Sequence, residues 1–420
     1  MRLRYALPAG LFDAGFASLA TLAVGVYAAR TLPPAELGAY ALFFTAFLFA
    51  TVVPTQLVLA PAEFSTIPLE RIERLGLLRH IWVIGPPSAV IAAVVGAAAA
   101  YAGAKASDDL LRALAVGTIV AAIVSPLQDH VRRVLHMAGL SWRAMSVSIV
   151  QLLSVIGLLL LFEAVHVSSI WRPFGALALA NLISMSVGLA MVRHGVRAFP
   201  LSRPRMSDLM RSGRWLMSLE CVTTGGLFLS SVLITHLASP AVLGHAEAAR
   251  IVAQPMFVLM VGLNAILGPR SIEAAANRDL VGANRILRPF ILIIMVAGLG
   301  YGAATATRWW GNPIAVLVPQ AYAVAGLVSL TVLAQVVFVS SATLRAELIG
   351  GKREHVLPRV AIVASVLQCL VAIAAIWTGA LARPLGILLS GVILFVGYLW
   401  YRRPMYGHGY ATLVGRMARQ

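Results

Sequence analysis

The sequence predicts an all-α polytopic membrane protein with about 12 transmembrane helices in two six-helix lobes. Of its 420 residues, 60% are hydrophobic and only 12% are charged, whereas an average soluble domain has about 25% charged residues. Apolar stretches of about 20 residues, the length that crosses a bilayer as a helix, recur along the whole chain. A short motif near the start of the chain also returns in its second half.

The apolar stretches define the predicted membrane spans in chain order. They cover roughly residues 7–30, 38–62, 79–104, 110–135, 143–163, 168–192, 214–237, 247–269, 286–306, 313–341, 356–378 and 381–401. Several contain an interior proline, which a multi-helix bundle tolerates because neighbouring groups satisfy the freed backbone groups. Twelve spans make the number of predicted crossings even.

The basic residues predict the orientation of these spans. The net charge is +17, and most of the 33 Lys and Arg residues precede the first span, follow the last one or follow an even-numbered span. Membrane proteins concentrate Lys and Arg in their cytoplasmic segments, so these segments and both termini are predicted to be cytoplasmic. The basic excess fits attraction to anionic membrane lipids, and nucleic acid is not a predicted partner.

A motif repeat predicts how the spans are grouped. "PAELG" at residues 34–38 and "PAVLG" at 240–244 are 206 residues apart, each in the first outer turn of a block of six spans. Two blocks of six enter the membrane with the same orientation, so an axis along the membrane normal can relate them. The predicted organisation is a lobe at 1–192, a basic cytoplasmic linker at 193–213, a second lobe at 214–401 and a cytoplasmic tail at 402–420. A cavity is expected between the lobes.

The chain resembles a known superfamily in "AARTLPPAELGAYAL", in "LGHAEAARIVAQPMFVLMVGLNAILGPRSIEAA" and in its six-plus-six organisation. These features are similar to the multidrug/oligosaccharidyl-lipid/polysaccharide (MOP) exporters, with a MATE-like fold, and within them to the polysaccharide-transporter branch of Wzx-type flippases. The resemblance implies a protein of the bacterial plasma membrane that uses alternating access. Its substrate would be a polyprenyl-pyrophosphate-linked oligosaccharide, moved from the inner to the outer leaflet for surface polysaccharide assembly.

Two acids occupy nearly equivalent places in the two predicted lobes. Asp13 and Glu220 each lie about six residues into a span, roughly 9 Å from its inner end. They could carry a proton or Na⁺ cycle, receive an arginine partner, or be salt-bridged near the headgroups. Since multidrug members of the superfamily have cation sites in these two helices, the resemblance makes both residues candidates for ion coupling.

Two adjacent arginines follow an acid at the inner end of the fourth predicted span. On a helix, Asp129 reaches Arg132 at i+3 and Arg133 at i+4, so one arginine can be neutralised while the other stays available. An available guanidinium would suit a pyrophosphate, whose oxygens it binds in bidentate fashion. The alternative is that both only anchor the topology.

Arg250 and Arg30 lie where positive charge is otherwise scarce, toward the predicted outer side. Arg250 follows Glu247 by three residues, so it is either a local ion pair or a cavity cation that draws an anionic headgroup across the membrane. Arg30 and His236 match in the repeat alignment and are predicted to be similar elements. Snorkelling to the interface explains Arg30 equally well.

Uncharged polar side chains within the predicted spans could bind sugar hydroxyls or form hydrogen bonds between helices. They are Asn181, Asn264, Gln151, Gln254, Gln320 and Gln335.

Sequence motifs for nucleotide, metal and acyl-transfer chemistry are missing from the chain. "IGGKRE" has a lysine after glycine but lacks the spacing and the Ser or Thr of a phosphate-binding loop. His130 and His136, six residues apart, do not share a helix face as a metal pair would. No cofactor or metal is therefore predicted, and transport would be powered by an H⁺ or Na⁺ gradient, the membrane potential or substrate supply.

Three function classes remain to be weighed. A glycan polymerase or glycosyltransferase is disfavoured because every predicted outer loop is short. A cation-coupled multidrug antiporter is the alternative to the flippase, and the candidate cavity charges do not separate the two. They are Asp13, Asp129 and Glu220 against Arg132, Arg133 and Arg250. The resemblance therefore favours the flippase.

Overall fold

The computed structural model describes residues 3–65, 75, 85–192, 206–307 and 309–406, and every regular element within them is helical. In these residues twelve helices are long and apolar enough to cross a membrane, which confirms the predicted fold class. Spans 1 to 12 are Pro8–Thr31, Pro34–Glu63, Pro86–Gly103, Asp108–Met137, Ser141–Ala164, Arg172–Val192, Gly213–Leu237, Pro240–Asn264, Leu280–Ala306, Leu327–Gly350, Val356–Ala374 and Ile376–Met405. Span 2 contains a π-helical turn, Thr55–Leu59, directly after Pro54.

Several predicted span ends are misplaced, among them the starts of spans 8 and 10. Span 8 begins at Pro240 rather than at 247, because Ser239 caps the helix by accepting a hydrogen bond from the Val242 amide, and the helix continues to Ala276. Span 10 begins at Leu327 rather than at 313. The preceding residues form the short helix Pro313–Leu317 and the 3-10 turn Gln320–Tyr322, since two prolines and a glycine with positive φ interrupt the helix there.

The two halves of the chain pack in the same pattern. In the first half, span 1 packs against span 5, span 4 against span 6, and span 5 against span 6. In the second half, span 7 packs against span 11, span 10 against span 12, and span 11 against span 12. Each of these three contacts of the first half therefore recurs six spans later, as in a parallel pseudo-repeat.

The structure describes only part of the predicted linker and tail. Residues 193–205 of the linker lie outside the described residues, and the helix Met206–Leu237 begins before the predicted lobe boundary at 214. Arg402, the first residue of the predicted tail, ends the helix Ala382–Arg402 and is buried. The remaining lobe boundaries stay predictions.

The repeated motifs contact each other where the two lobes meet. A Cβ atom on Gly38 would overlap the carbonyl oxygen of Pro240, and one on Gly244 would overlap that of Pro34. Glycine is needed at both positions because only a hydrogen lets the two backbones approach this closely. We call this side of the molecule the outer side, following the predicted topology, which itself stays a prediction.

The lobe interface changes character with depth. Residues 37–47 of span 2 are buried, and span 8 is buried or nearly so from Leu243 to Ala253. From Leu48 to Leu57 and from Gln254 inward most residues of the same two helices are half-exposed, whereas residues 58–63 of span 2 are buried again. The lobes are therefore closely packed at the outer side, and these two helices are less buried towards the middle of the molecule.

Candidate functional site

Asp13 lies at the centre of a hydrogen-bonded cluster in the first lobe. Its carboxylate is 5% exposed and accepts hydrogen bonds from Arg132 Nη2 at 2.9 Å and Arg132 Nε at 3.2 Å. His136 Nε2 is 2.9 Å from Oδ2, and Ser148 Oγ donates to Oδ1 at 2.5 Å. A charge this deep in a membrane protein is tolerable only when paired. The structure thus gives Asp13 an arginine partner, and its role in ion coupling stays a prediction.

Arg132 bridges two acids rather than one. Its Nη1 donates to Asp129 Oδ1 at 2.9 Å while its other nitrogens contact Asp13. The Asp129 side chain is 53% exposed and lines the cavity described below. The cluster therefore carries two carboxylates for one guanidinium.

Arg133 faces a third acid, so the expectation that one of the two adjacent arginines stays available is wrong. Arg133 Nε lies 3.2 Å from Glu63 Oε1, and His130 Nδ1 lies 2.7 Å from the same oxygen. Glu63 and His130 are both buried. Sequence reasoning missed this group, although Glu63 could have been noticed as an acid at the inner end of the second apolar stretch.

The second lobe repeats the pairing of the first. Glu220 of span 7 forms an ion pair with Arg345 of span 10 at 2.5 Å, as Asp13 of span 1 does with Arg132 of span 4. Both side chains of the second pair are more exposed than Asp13. The approximate equivalence of the two acids therefore extends to their arginine partners.

A charged triad lies at the outer half of the lobe interface. Glu247 is fully buried, and its Oε1 accepts hydrogen bonds from Arg250 Nη2 at 2.7 Å and Nε at 2.9 Å. Arg383 Nη1 of span 12 donates to Oε2 at 2.9 Å. The Arg250 guanidinium carbon lies 4.9 Å from the centre of the Phe44 ring of span 2. Two arginines for one glutamate leave a net positive charge between the lobes.

The triad corrects the predicted position of Arg250 and adds a residue, Arg383, that was not predicted. Arg250 is not near the outer end of its span, because the helix begins ten residues earlier, about 15 Å away. Arg383 was not a predicted site residue, although it is a basic residue on the side where positive charge is scarce. Its partner is 136 residues away in the chain, which no local pattern indicates.

Arg30 lies outside this interface. It is exposed at the outer end of span 1 and donates a hydrogen bond to the Val316 carbonyl oxygen, and the carbonyl oxygen of its repeat counterpart His236 faces Lys105 Nζ at 3.5 Å. Nothing in its contacts places Arg30 in a cavity. The position of Arg30 therefore does not support its predicted role in a cavity.

The segment between spans 9 and 10 attaches the second lobe to the outer end of span 1. Tyr322 donates a buried hydrogen bond to the Leu32 carbonyl oxygen at 2.6 Å. Burial and the charge of Glu36 raise the pKa of Tyr322 to about 12 from its ordinary 10.0. The phenol is therefore protonated, and able to donate, throughout the neutral range.

We expect Tyr322→Phe to lower the free energy of unfolding by about 0.5–1.5 kcal/mol, the net contribution of one hydrogen bond. The contribution is complete below pH 10.0 and is lost as the pH rises through about 12, because the folded-state pKa is the higher one. Thermal unfolding in detergent measures it. Tyr101→Phe is the matched control. The Tyr101 hydroxyl is exposed, and its hydrogen bond to Asp108 is long and weak at 3.5 Å.

A polar cavity of about 210 Å³ lies in the first lobe beside the Asp13 cluster. Four of its side chains form a chain of hydrogen bonds between helices, from Gln128 to Gln151 at 3.3 Å, Gln151 to Asn181 at 2.6 Å and Asn181 to Ser125 at 2.7 Å. The amides of Gln151 and Asn181 thus bond between helices while still facing the cavity. Within the described residues no group of three or more His, Cys, Asp or Glu side chains could hold a metal ion.

Solved structures share this fold over nearly the whole chain. An inward-facing multidrug resistance MATE family transporter of the MOP superfamily matches with a TM-score of 0.67 and 16% identity, over 93% of this chain and 94% of that one. An outward-facing one matches with a TM-score of 0.66 and 16% identity, over 95% and 94%. A MOP superfamily transporter from Pyrococcus furiosus Vc1, described as having a binding pocket of reverse polarity that suggests a different function, matches at 0.66 and 14%, over 95% and 94%.

The fold is therefore that of the MATE transporters in the MOP superfamily. The sequence comparisons add no narrower assignment, since no family profile and no curated protein matches the chain.

Proposed function

We propose that this chain is a membrane transporter that works by alternating access and moves a polyprenyl-pyrophosphate-linked oligosaccharide from the inner to the outer leaflet of the bacterial plasma membrane. Transport is supported by the fold, which solved transporters share in both inward- and outward-facing conformations. The substrate is supported by the charge of the interface between the lobes. The single observation that carries the proposal is the Glu247 triad with its surplus arginine.

Arg250 is the group that would receive the pyrophosphate. Its side chain is 22% exposed, whereas Arg383 is almost completely buried. A phosphate could draw Arg250 away from Glu247 without leaving that carboxylate unpaired, because Arg383 would still hold it. The planar guanidinium then binds two phosphate oxygens at once, which makes a headgroup site of moderate affinity at the lobe interface.

The interior acids support an anionic substrate over a cationic one. Each acid deep within the described spans lies within 4 Å of an arginine or histidine. They are Asp13, Glu63, Glu220, Glu247 and Glu347, whereas the paired Asp129 is 53% exposed. An organic cation would have to compete with an existing partner at every one of them, at a cost of several kcal/mol for a buried pair.

The cavity of the first lobe suits a sugar chain. Its amides and the hydroxyls of Ser18, Thr21 and Thr51 offer donors and acceptors without net charge. The sugars would pass through this polar cavity while the polyprenyl tail stays in the bilayer. Asp13 and Glu220 are the proposed ion-coupling residues, because each is held by a guanidinium that a proton or Na⁺ could compete with.

The test is flipping of a fluorescent polyprenyl-pyrophosphate sugar by the purified protein in liposomes, followed by quenching of the outer leaflet. We expect Arg250→Ala to slow flipping by about 10- to 150-fold, the loss of one charge-assisted interaction of about 1.5–3 kcal/mol. Arg143→Ala removes an exposed arginine elsewhere and should leave the rate unchanged. A well-expressed Arg250→Ala protein that flips normally would make Arg250 a scaffold residue.

A cation-coupled multidrug antiporter is the second candidate, and one observation favours it. Asp129 is half-exposed in the cavity and shares a single arginine with Asp13, so the cavity could receive an organic cation there. Efflux of such a cation without lipid flipping, abolished by Asp129→Asn, would reverse the ranking of the two functions.

A further inference from the structure

A second cavity, of about 530 Å³, lies on the inner side of the second lobe. The inner ends of the helices Pro240–Ala276, Ala342–Gly350 and Ala382–Arg402 meet there. Three of its lining residues are cationic, namely Arg278, Lys352 and Arg353, and none is acidic. It is distinct from the Glu247 triad, since Arg278 lies 28 residues beyond Arg250, roughly 40 Å away in the direction of the helix.

Two of these cations hold a backbone conformation that favours glycine. Arg278 has φ 55° and Lys352 has φ 57°, and they are two of only three such non-glycine residues in the described chain. Each lies just after the end of a helix. Its own amide and the amide of the next residue donate hydrogen bonds to the last carbonyl oxygens of that helix. The third such residue, His166, ends span 5 in the same way, so this conformation is a helix-end geometry that glycine would adopt with less strain.

Tyr406, which lines the cavity, also contacts a buried ion pair whose two residues do not line it. Glu347 is buried and pairs with Arg402 Nε at 2.6 Å, while Tyr406 donates to the same carboxylate at 3.1 Å. The neighbouring Asp279 accepts a hydrogen bond from the Gly282 amide and does not line the cavity. The charge of the three lining cations is therefore not balanced by any residue that lines the cavity with them.

We propose that this cavity binds a phosphate-bearing anion at the inner membrane surface. The segment Gly350–Gly351–Lys352–Arg353 is not a nucleotide loop, but it offers an ammonium and a guanidinium beside Arg278, the groups that bind phosphate oxygens. Basic pockets between membrane helices on the cytoplasmic side suit anionic lipid headgroups. The site does not depend on the flippase proposal, and a soluble phosphate ester has the same chemistry.

The experiment uses a variant that removes charge without harming the fold. Arg278→Gly combined with Lys352→Gly replaces two strained residues by the one that fits the conformation, so its thermal unfolding temperature should be equal or higher. Arg278→Lys with Lys352→Arg keeps the charge, and Arg143→Gln removes an exposed cation elsewhere. Native mass spectrometry of the full chain in non-ionic detergent counts retained phosphatidylglycerol and phosphatidylcholine.

Wild type, the charge-keeping variant and Arg143→Gln should retain phosphatidylglycerol over phosphatidylcholine, and the double-glycine variant should lose that preference by about tenfold or more. If millimolar inorganic phosphate displaces the lipid, the natural ligand is a soluble phosphate ester; if not, it is the lipid headgroup. Equal retention of both lipids by wild type, or an unchanged preference in the double-glycine variant, would overturn the site.

Discussion

Glu247→Gln is expected to lower the stability of the protein by about 3–5 kcal/mol, because it leaves the buried Arg383 and the half-buried Arg250 without a counter-charge. Glu247 is fully buried, and Arg250 and Arg383 both donate to it. Glutamine keeps the shape of the side chain but removes the negative charge. The two guanidinium groups then repel each other at a site that water reaches poorly.

Thermal unfolding in detergent, with the yield of folded protein, measures this effect. Glu163→Gln is the control, since Glu163 is an exposed acid at the end of span 5. Glu247→Gln combined with Arg383→Met restores the net charge of the triad and should recover part of the loss. Unfolding of Glu247→Gln at the wild-type temperature would show that the triad does not hold the lobes together.

Gly38→Val is expected to disfavour closure of the outer side by about 1–3 kcal/mol, or roughly 5- to 150-fold in the population of the closed conformer. The obstacle is the Pro240 carbonyl oxygen, which is backbone and cannot rotate away as a side chain could. Gly244→Val should act in the same way against Pro34. Because the proposed alternating access needs both conformers, the proposed transport should fall together with the closed population.

Electron spin resonance distances test this prediction directly. Spin labels at Ala35 and Ala238, both exposed at the outer side of different lobes, should report a longer distance in Gly38→Val than in wild type. The labelled background would have Cys221 and Cys369 replaced. Gly157→Val is the matched control, because a Cβ at Gly157 meets nothing within 4 Å. An unchanged distance in Gly38→Val would mean that the two motifs do not gate the outer side.

The acid pairs of the two lobes are related in position but not equal in environment. Asp13 has hydrogen bonds from an arginine and a serine and a contact with a histidine, whereas Glu220 pairs with Arg345 and is more exposed. A more exposed acid with fewer partners gives up its arginine for a proton or Na⁺ more readily. If both take part in coupling, Glu220 should therefore respond first to an ion gradient.

The sequence by itself determined the fold class, the number of spans and the internal repeat. These follow from local quantities, namely the length of apolar stretches and the spacing of motifs, which a membrane makes unusually informative. It also placed Asp13, Glu220, Arg132 and Arg250 inside the membrane region. The starts of spans 8 and 10 were misplaced because hydropathy does not distinguish a capped helix start or a proline-broken outer segment from a continuing span.

The local pairs Asp129–Arg132 and Glu247–Arg250 were predicted from their spacing and are confirmed, but only the tertiary structure decided which charges distant in the chain meet. Asp13 and Arg132 are 119 residues apart, Glu63 and His130 are 67 apart, and Glu247 and Arg383 are 136 apart. The same holds for Gly38, whose neighbour is the other copy of its own motif. In a low-dielectric interior a charge needs a partner. Which partner it contacts depends on how helices distant in the chain pack, and the hydropathy of the sequence does not determine that packing.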